Sequence, residues 1–148
     1  MGGDEISGDG TIGRVLAIDY GHVRVGLAMS DPLGMFAVGL ETLNVTSLKD
    51  TLAHIQALCA EHGVVQLVLG LPKNMDGSEG PMAEKVRDFA ERLTSETHLP
   101  VLFIDERLTS KLAEQTLRDQ GIKASRNKGL IDEAAARRLL QDYLDAKA

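Results

Sequence analysis

The chain has 148 residues, 43% of them hydrophobic and 26% charged, with a formal net charge of −6. That length predicts a single domain able to bury its own core, and the composition is that of an ordinary globular protein. No apolar run approaches the roughly 20 residues of a membrane span, and a net acidic balance opposes indiscriminate binding of nucleic acid.

Residues 1–12 are glycine-rich and acidic, with no apolar stretch of the secretory kind, and read as a disordered leader ahead of a single domain at 13–148. Val15-Leu16-Ala17-Ile18 is an apolar run suited to a strand buried on both faces, and it ends in Asp19-Tyr20-Gly21. An ionised Asp at such a strand end needs a cation or several hydrogen bonds. It can also simply cap a tight turn before Gly21. Gly21-His22 turns the chain, Arg24–Ser30 returns antiparallel, Asp31-Pro32-Leu33-Gly34 turns again, and Met35–Leu43 supplies a third strand interrupted by Gly39.

Ser47 has the chemistry of a helix N-cap, and Leu48, Leu52, Ile55, Leu58 and Cys59 recur at helical spacing up to Gly63 in the C′ place. The lone cysteine excludes an internal disulfide and reads as a buried thiol, with a reducing cytoplasm as the default location. Val64–Leu71 is a central strand, followed by the loop 73–80 and a helix opened by Pro81 with Met82, Val86, Phe89, Ala90 and Leu93 inward. Val101–Ile104 is the fifth strand and runs into Asp105-Glu106-Arg107. A helix from about Thr109 to Gln120, a basic connector from Ile122 to Gly129 and a last helix from about Leu130 complete the order β-β-β-α-β-α-β-α-α. That order predicts a five-stranded mixed sheet, an antiparallel meander followed by parallel strands, with helices on both faces.

In alternating α/β units, ligands gather beyond the carboxyl ends of parallel strands. Asp19 and Glu106 end two of them. Asp132 precedes Ala135, Ala136, Leu139, Leu140 and Tyr143 at helical spacing, which predicts that it faces the sheet. Alone, Asp132 can equally be an acid complementing a helix dipole. Three acids at one edge call for a cation, and an all-oxygen set favours Mg²⁺ or Mn²⁺ over zinc. Two such ions serve phosphoryl chemistry by activating water and stabilising the leaving oxygen. Between Arg107 and Arg138 eight Lys/Arg face four acids, against the acidic trend of the whole. This block, with Lys73, can hold phosphate oxygens, or it can be a solvated helix face.

Four blocks together resemble the YqgF (RuvX-type) proteins. They are Ile18-Asp19-Tyr20-Gly21 with Arg24-Val25-Gly26; Gly70-Leu71-Pro72 with Asn74-Met75-Asp76-Gly77-Ser78; Asp105-Glu106-Arg107-Leu108-Thr109; and Lys128 to Ala136. The resemblance runs from about residue 13 to the end. It implies an RNase H-like fold related to the RuvC resolvases and a metal-dependent nuclease that matures the 5′ end of precursor 16S rRNA, with Holliday junction resolution as the alternative. The family's acidic site falls on Asp19, Glu106 and Asp132, which would be both catalytic and metal-holding. Asp105 ranks second, because strand alternation turns it to the other side of the sheet. Lys73, Asn74, Arg107, Thr109, Lys123, Arg126 and Lys128 are the expected nucleic-acid contacts, on structured RNA or branched DNA. Tyr20 and His22 stand where the family more commonly has Leu and Thr.

Two other classes compete. A non-catalytic nucleic-acid-binding module would use the same cations and cut nothing, although a chain with no Trp, two Tyr and three Phe offers little base stacking. An actin-like phosphotransferase also opens on Asp-x-Gly, but 148 residues leave no room for its second domain. No stretch announces a dimer surface, so monomer and two-fold homodimer both stay open.

Overall fold

A computed structural model of the chain describes residues 13–21, 23–40, 42–105 and 128–147, the last segment with side chains from residue 134 onward. Residues 1–12, His22, Glu41, the segment 106–127 and Ala148 lie outside the described residues. The strands are β1 (Arg14–Tyr20), β2 (Arg24–Ser30), β3 (Ala37–Gly39), β4 (Leu43–Asn44), β5 (Val64–Leu71) and β6 (Val101–Asp105). The described helices are α1 (Leu48–His62), α2 (Pro81–Thr97) and α3 (Lys128–Lys147).

The sheet has the order β3-β2-β1-β5-β6, with β4 also on β2. β1 and β2 are antiparallel, whereas β1, β5 and β6 are mutually parallel neighbours. The meander and the parallel half therefore stand as expected. The expected single third strand is instead two short ones, so the described sheet has six strands rather than five. β3 pairs with Ala28–Ser30 and β4 with Arg24 and Val25, both antiparallel to β2. The break falls after Leu40, whose N–H still reaches the Leu27 carbonyl at 2.9 Å, and not at Gly39.

Local chemistry sets the helix ends. The Ser47 hydroxyl accepts the Asp50 N–H at 3.1 Å, and Gly63 closes α1 at φ 66°, a conformation glycine adopts without steric cost. Pro81 opens α2 at its first turn. α3 starts at Lys128, two residues ahead of the expected Leu130; in the first turn the N–H groups lack intrahelical partners, so Gly129 disrupts little there.

Strand alternation gives the sheet two unlike faces. Leu16, Ile18, Val25, Leu27, Met29, Leu67, Leu69 and Leu71 point toward α1 and α2 and pack with Ile55, Val86, Phe89 and Leu93. Tyr20 stacks on Phe89 with ring centroids 4.1 Å apart. Val15, Ala17, Ala28 and Val68 point the other way, under Ala136, Leu139, Leu140 and Leu144 of α3. Gln141 locks α3 to the sheet edge: its side-chain carbonyl accepts the Ala37 N–H at 2.9 Å and its amide donates to the Met35 carbonyl at 3.1 Å.

Candidate active site

Asp19 is the penultimate residue of β1 and is half-buried. It shares its face with Val15 and Ala17, so it lies on the side covered by α3. On β2 its register partner is Gly26. On β5 the ladder Ile18–Leu69 brings Gly70 alongside. A glycine on each flank of a carboxylate in a sheet marks a place where another backbone or a ligand can approach closely. The turn after it is equally tight. Gly21 N–H donates to the Arg24 carbonyl at 3.0 Å, and a Cβ at Gly21 would sit 2.7 Å from that oxygen.

The Gln141 lock also ties the far end of α3 to a level on this face. Ala37 pairs with Ser30, whose hydroxyl accepts the Val15 N–H at 2.8 Å, so Gln141 sits level with Val15. From there α3 runs back across β2, β1 and β5. The fully buried Ala136 and nearly buried Ala135 let the helix lie close to the strands. The Asp132 side chain lies outside the described residues, as do Glu106, Arg107, Thr109, Lys123 and Arg126 and the side chain of Lys128.

β6 brings the second strand end to the same edge. Gly70 pairs with Ile104 and Leu71 with Asp105. Ile104 packs with the α3 face and Phe103 with the α1/α2 face, so Asp105, which is exposed, belongs to the side away from Asp19. Among the described residues no group of three His, Cys, Asp or Glu is close enough to hold a metal ion.

Lys73 and Asn74 lie on the loop that leaves the end of β5. This loop is closed on itself. Asn74 N–H donates to the Ser78 carbonyl at 2.8 Å, Gly77 N–H to the Asn74 carbonyl at 2.8 Å, and the Ser78 N–H and hydroxyl to Asp76 Oδ1 at 2.9 and 2.6 Å. Glu79 follows and accepts two hydrogen bonds from Arg87 of α2, each 2.7 Å long. The Arg87 guanidinium lies 5.0 Å from the ring centre of Phe103. These bonds to Arg87, with a contribution from nearby Lys73, hold the Glu79 carboxyl below its usual range. Neither Glu79 nor Arg87 stands out in the sequence. They are eight residues apart across a loop–helix junction, where no periodicity applies.

Residues 13–146 match the profile of the family described as RuvX: Holliday junction resolvase. A protein of Moorella thermoacetica named "Putative pre-16S rRNA nuclease" is 46% identical over 132 residues, 89% of this chain and 94% of its own. One of the same name from Myxococcus xanthus is 44% identical over 133 residues, covering 90% and 88%. Among solved structures, Thermus thermophilus RuvC superposes with a TM-score of 0.58 at 15% identity, over 90% of this chain and 95% of that one. The fowlpox virus Holliday junction resolvase gives 0.54 at 12% identity, over 91% and 99%. These two likenesses concern the fold, which is that of the RNase H-like resolvases. With its profile matched from the first strand to the end of the last helix, the chain belongs to the RuvX family.

Proposed function

We propose that this protein is a metal-dependent nuclease that hydrolyses phosphodiester bonds in the 5′-end maturation of precursor 16S rRNA. One observation carries the reading: Asp19 stands between Gly26 and Gly70 at the carboxyl end of β1, on the face that α3 covers and at the same sheet edge as the ends of β5 and β6. The family membership and the names of the relatives supply the chemistry to be expected of such a place.

In this reading Asp19, Glu106 and Asp132 form the donor set. Three carboxylates suit Mg²⁺ or Mn²⁺, which take oxygen ligands, and the half-buried Asp19 on the α3 side fits a role as one of them. The ion, when bound, supplies a nucleophilic water at neutral pH and stabilises the leaving oxygen. The chain's own part is to hold the acids at fixed positions on strands and a helix, and to keep like charges together that would otherwise repel. Lys73 and Asn74 on the closed loop, with Arg107, Thr109, Lys123, Arg126 and Lys128, are assigned to the phosphate backbone. Among the described residues no helix is long and apolar enough to cross a membrane; a cytoplasmic enzyme is the corresponding proposal.

The family description favours a second reading, resolution of four-way DNA junctions, for which a two-fold dimer would be required. Cleavage of labelled precursor rRNA and of a four-way DNA junction, run side by side with Mg²⁺ or Mn²⁺, separates the two. The expected result is metal-dependent product from the RNA and none from an Asp19→Asn protein. Undiminished cleavage by purified Asp19→Asn protein would overturn the site, and product from the junction alone would transfer the assignment to the second reading.

A further inference from the structure

Among the described residues β6 is paired on one side only, with β5. The register fixes which of its backbone groups are used. Leu67 N–H donates to the Pro100 carbonyl at 2.9 Å, so the parallel pattern turns the N–H and C=O groups of Leu102 and Ile104 toward β5. Those of Val101 and Phe103 point outward, along an edge that offers a template for one more strand. Beside this edge runs a groove of about 470 Å³, lined by Ala90 and Thr94 of α2 on one side and by Val101 and Phe103 on the other. Arg87 closes it over the Phe103 ring, 5.0 Å from the centroid, and its charge is matched by Glu79. The exposed Glu91 carboxylate on the helix wall therefore sets the sign of the groove. On the other face of the sheet Leu102 is 45% exposed at the same edge.

We propose that β6 and α2 form a docking site for an extended segment of a partner protein, which adds to the sheet as a strand and carries apolar side chains with a Lys or Arg among them. The outward groups of Val101 and Phe103 supply the backbone hydrogen bonds, which give such contacts their affinity, and the groove takes alternate side chains, which give them specificity. A strand laid here also covers Leu102 with its opposite side chains, and its cation meets Glu91. A second copy of this chain fits less well. Pairing through its own β6 would leave both grooves empty, because its Val101 and Phe103 are already packed against its own core. A segment with no helix over it has side chains free to enter. The groove opens on the face away from Asp19, so partner and substrate do not compete for one place.

The test uses the full chain and a fluorescein-labelled peptide of about nine residues, in which valine or lysine alternates with leucine or threonine. Fluorescence anisotropy should show saturable binding. The same peptide, N-methylated at the backbone nitrogens that face β6, should bind about tenfold more weakly, or about 1.4 kcal/mol. Glu91→Lys should weaken the lysine peptide about threefold and strengthen a glutamate version by a similar factor, an inversion that damage to the fold would not produce. In amide exchange, Val101 and Phe103 should exchange freely in the protein alone and slow about tenfold with peptide, while Leu102 and Ile104 stay protected in both. Absence of saturable binding, equal affinity for the N-methylated peptide, no inversion in Glu91→Lys or unchanged exchange at Val101 and Phe103 would each overturn the proposal. So would a protein that sediments as a dimer with those two amides already protected, which would give the edge to a second copy.

Discussion

The two faces of the sheet are built to different ends. Toward α1 and α2 the strands present leucines, isoleucine, valine and methionine, and the helices answer with Phe89, Leu93 and Ile55. Toward α3 the same strands present Ala17, Ala28, Val15 and Val68, and the helix answers first with Ala135 and Ala136 and only later with Leu139, Leu140 and Leu144. Large side chains keep a helix at a distance and bury much apolar area; small ones bring backbone close to backbone. The thick face therefore supplies most of the hydrophobic stabilisation. The thin face gives up area for proximity, and Asp19 is on the thin face.

Substitution on each face should separate stability from activity. Asp19→Asn, nearly isosteric, is expected to lower cleavage on the order of 10³–10⁴-fold, a loss of about 4–5.5 kcal/mol of transition-state stabilisation, with the thermal melt little changed. Asp105→Asn, three residues from Leu102 and turned to the other face, should leave the rate within about threefold; an equal loss from both would erase the distinction between the faces. Phe89→Ala removes a side chain only 2% exposed and its stack on Tyr20, and should cost about 3–5 kcal/mol by urea melts while the folded fraction still cleaves. Ala136→Leu puts extra methylenes where the residue has no exposure at all; about 1–3 kcal/mol and a disproportionate fall in activity are expected, because the helix must lift from the strands. If Ala136→Leu lost stability but kept full activity, the close approach would serve packing alone.

Much of this was legible because the signals were local. The bounds of β2 and β5, the Ser47 cap, the Gly63 terminus and Pro81 at the start of α2 all follow from residues within a few positions of the feature. The parallel neighbourhood of β1, β5 and β6 followed from the alternation of elements. What failed to show depended on distant partners. β4 exists because Arg24 and Val25 of β2 are there to pair with Leu43 and Asn44. The buried stripes were displaced slightly, with Thr51 and Ala83 fully inside while Leu48 and Met82 are only partly so, because the neighbouring helix decides which flank is covered. Gln141 grips an edge strand more than a hundred residues earlier, a contact that no pattern within α3 announces. Of the site, Asp19 could be placed at its strand end from sequence, whereas its two glycine neighbours required the register that sets Gly26 and Gly70 at its sides.

Smaller effects sharpen the contrast further. Cys59 sits in the thick core, and desolvation alone raises its thiol to about 11, so at pH 8 almost none of it is thiolate. Its reaction with an aromatic disulfide should be slow, and should accelerate with urea in step with global unfolding; early reaction would mean that α1 opens separately.

On the other side, the hairpin that Gln141 grips is closed by Asp31. Its carboxylate accepts the Phe36 N–H at 3.0 Å and the Met35 N–H at 2.7 Å, and these bonds, that from Phe36 foremost, lower its pKa. A carboxyl whose folded pKa lies below its unfolded one adds stability above the unfolded value, and that stability fades as pH falls through the folded one. Asp31→Asn should thus narrow the gap in melting temperature between neutral and acid buffer. Because Asp31 is only partly buried, the change should be the smallest of this series. The Met35 carbonyl and Ala37 N–H held by Gln141 belong to the same turn, so loosening Asp31 should also loosen the far end of α3. Amide exchange at Ala37 reads that coupling directly. Faster exchange there in Asp31→Asn, with Phe89 and its neighbours unaffected, would show the thin face opening as a unit of its own.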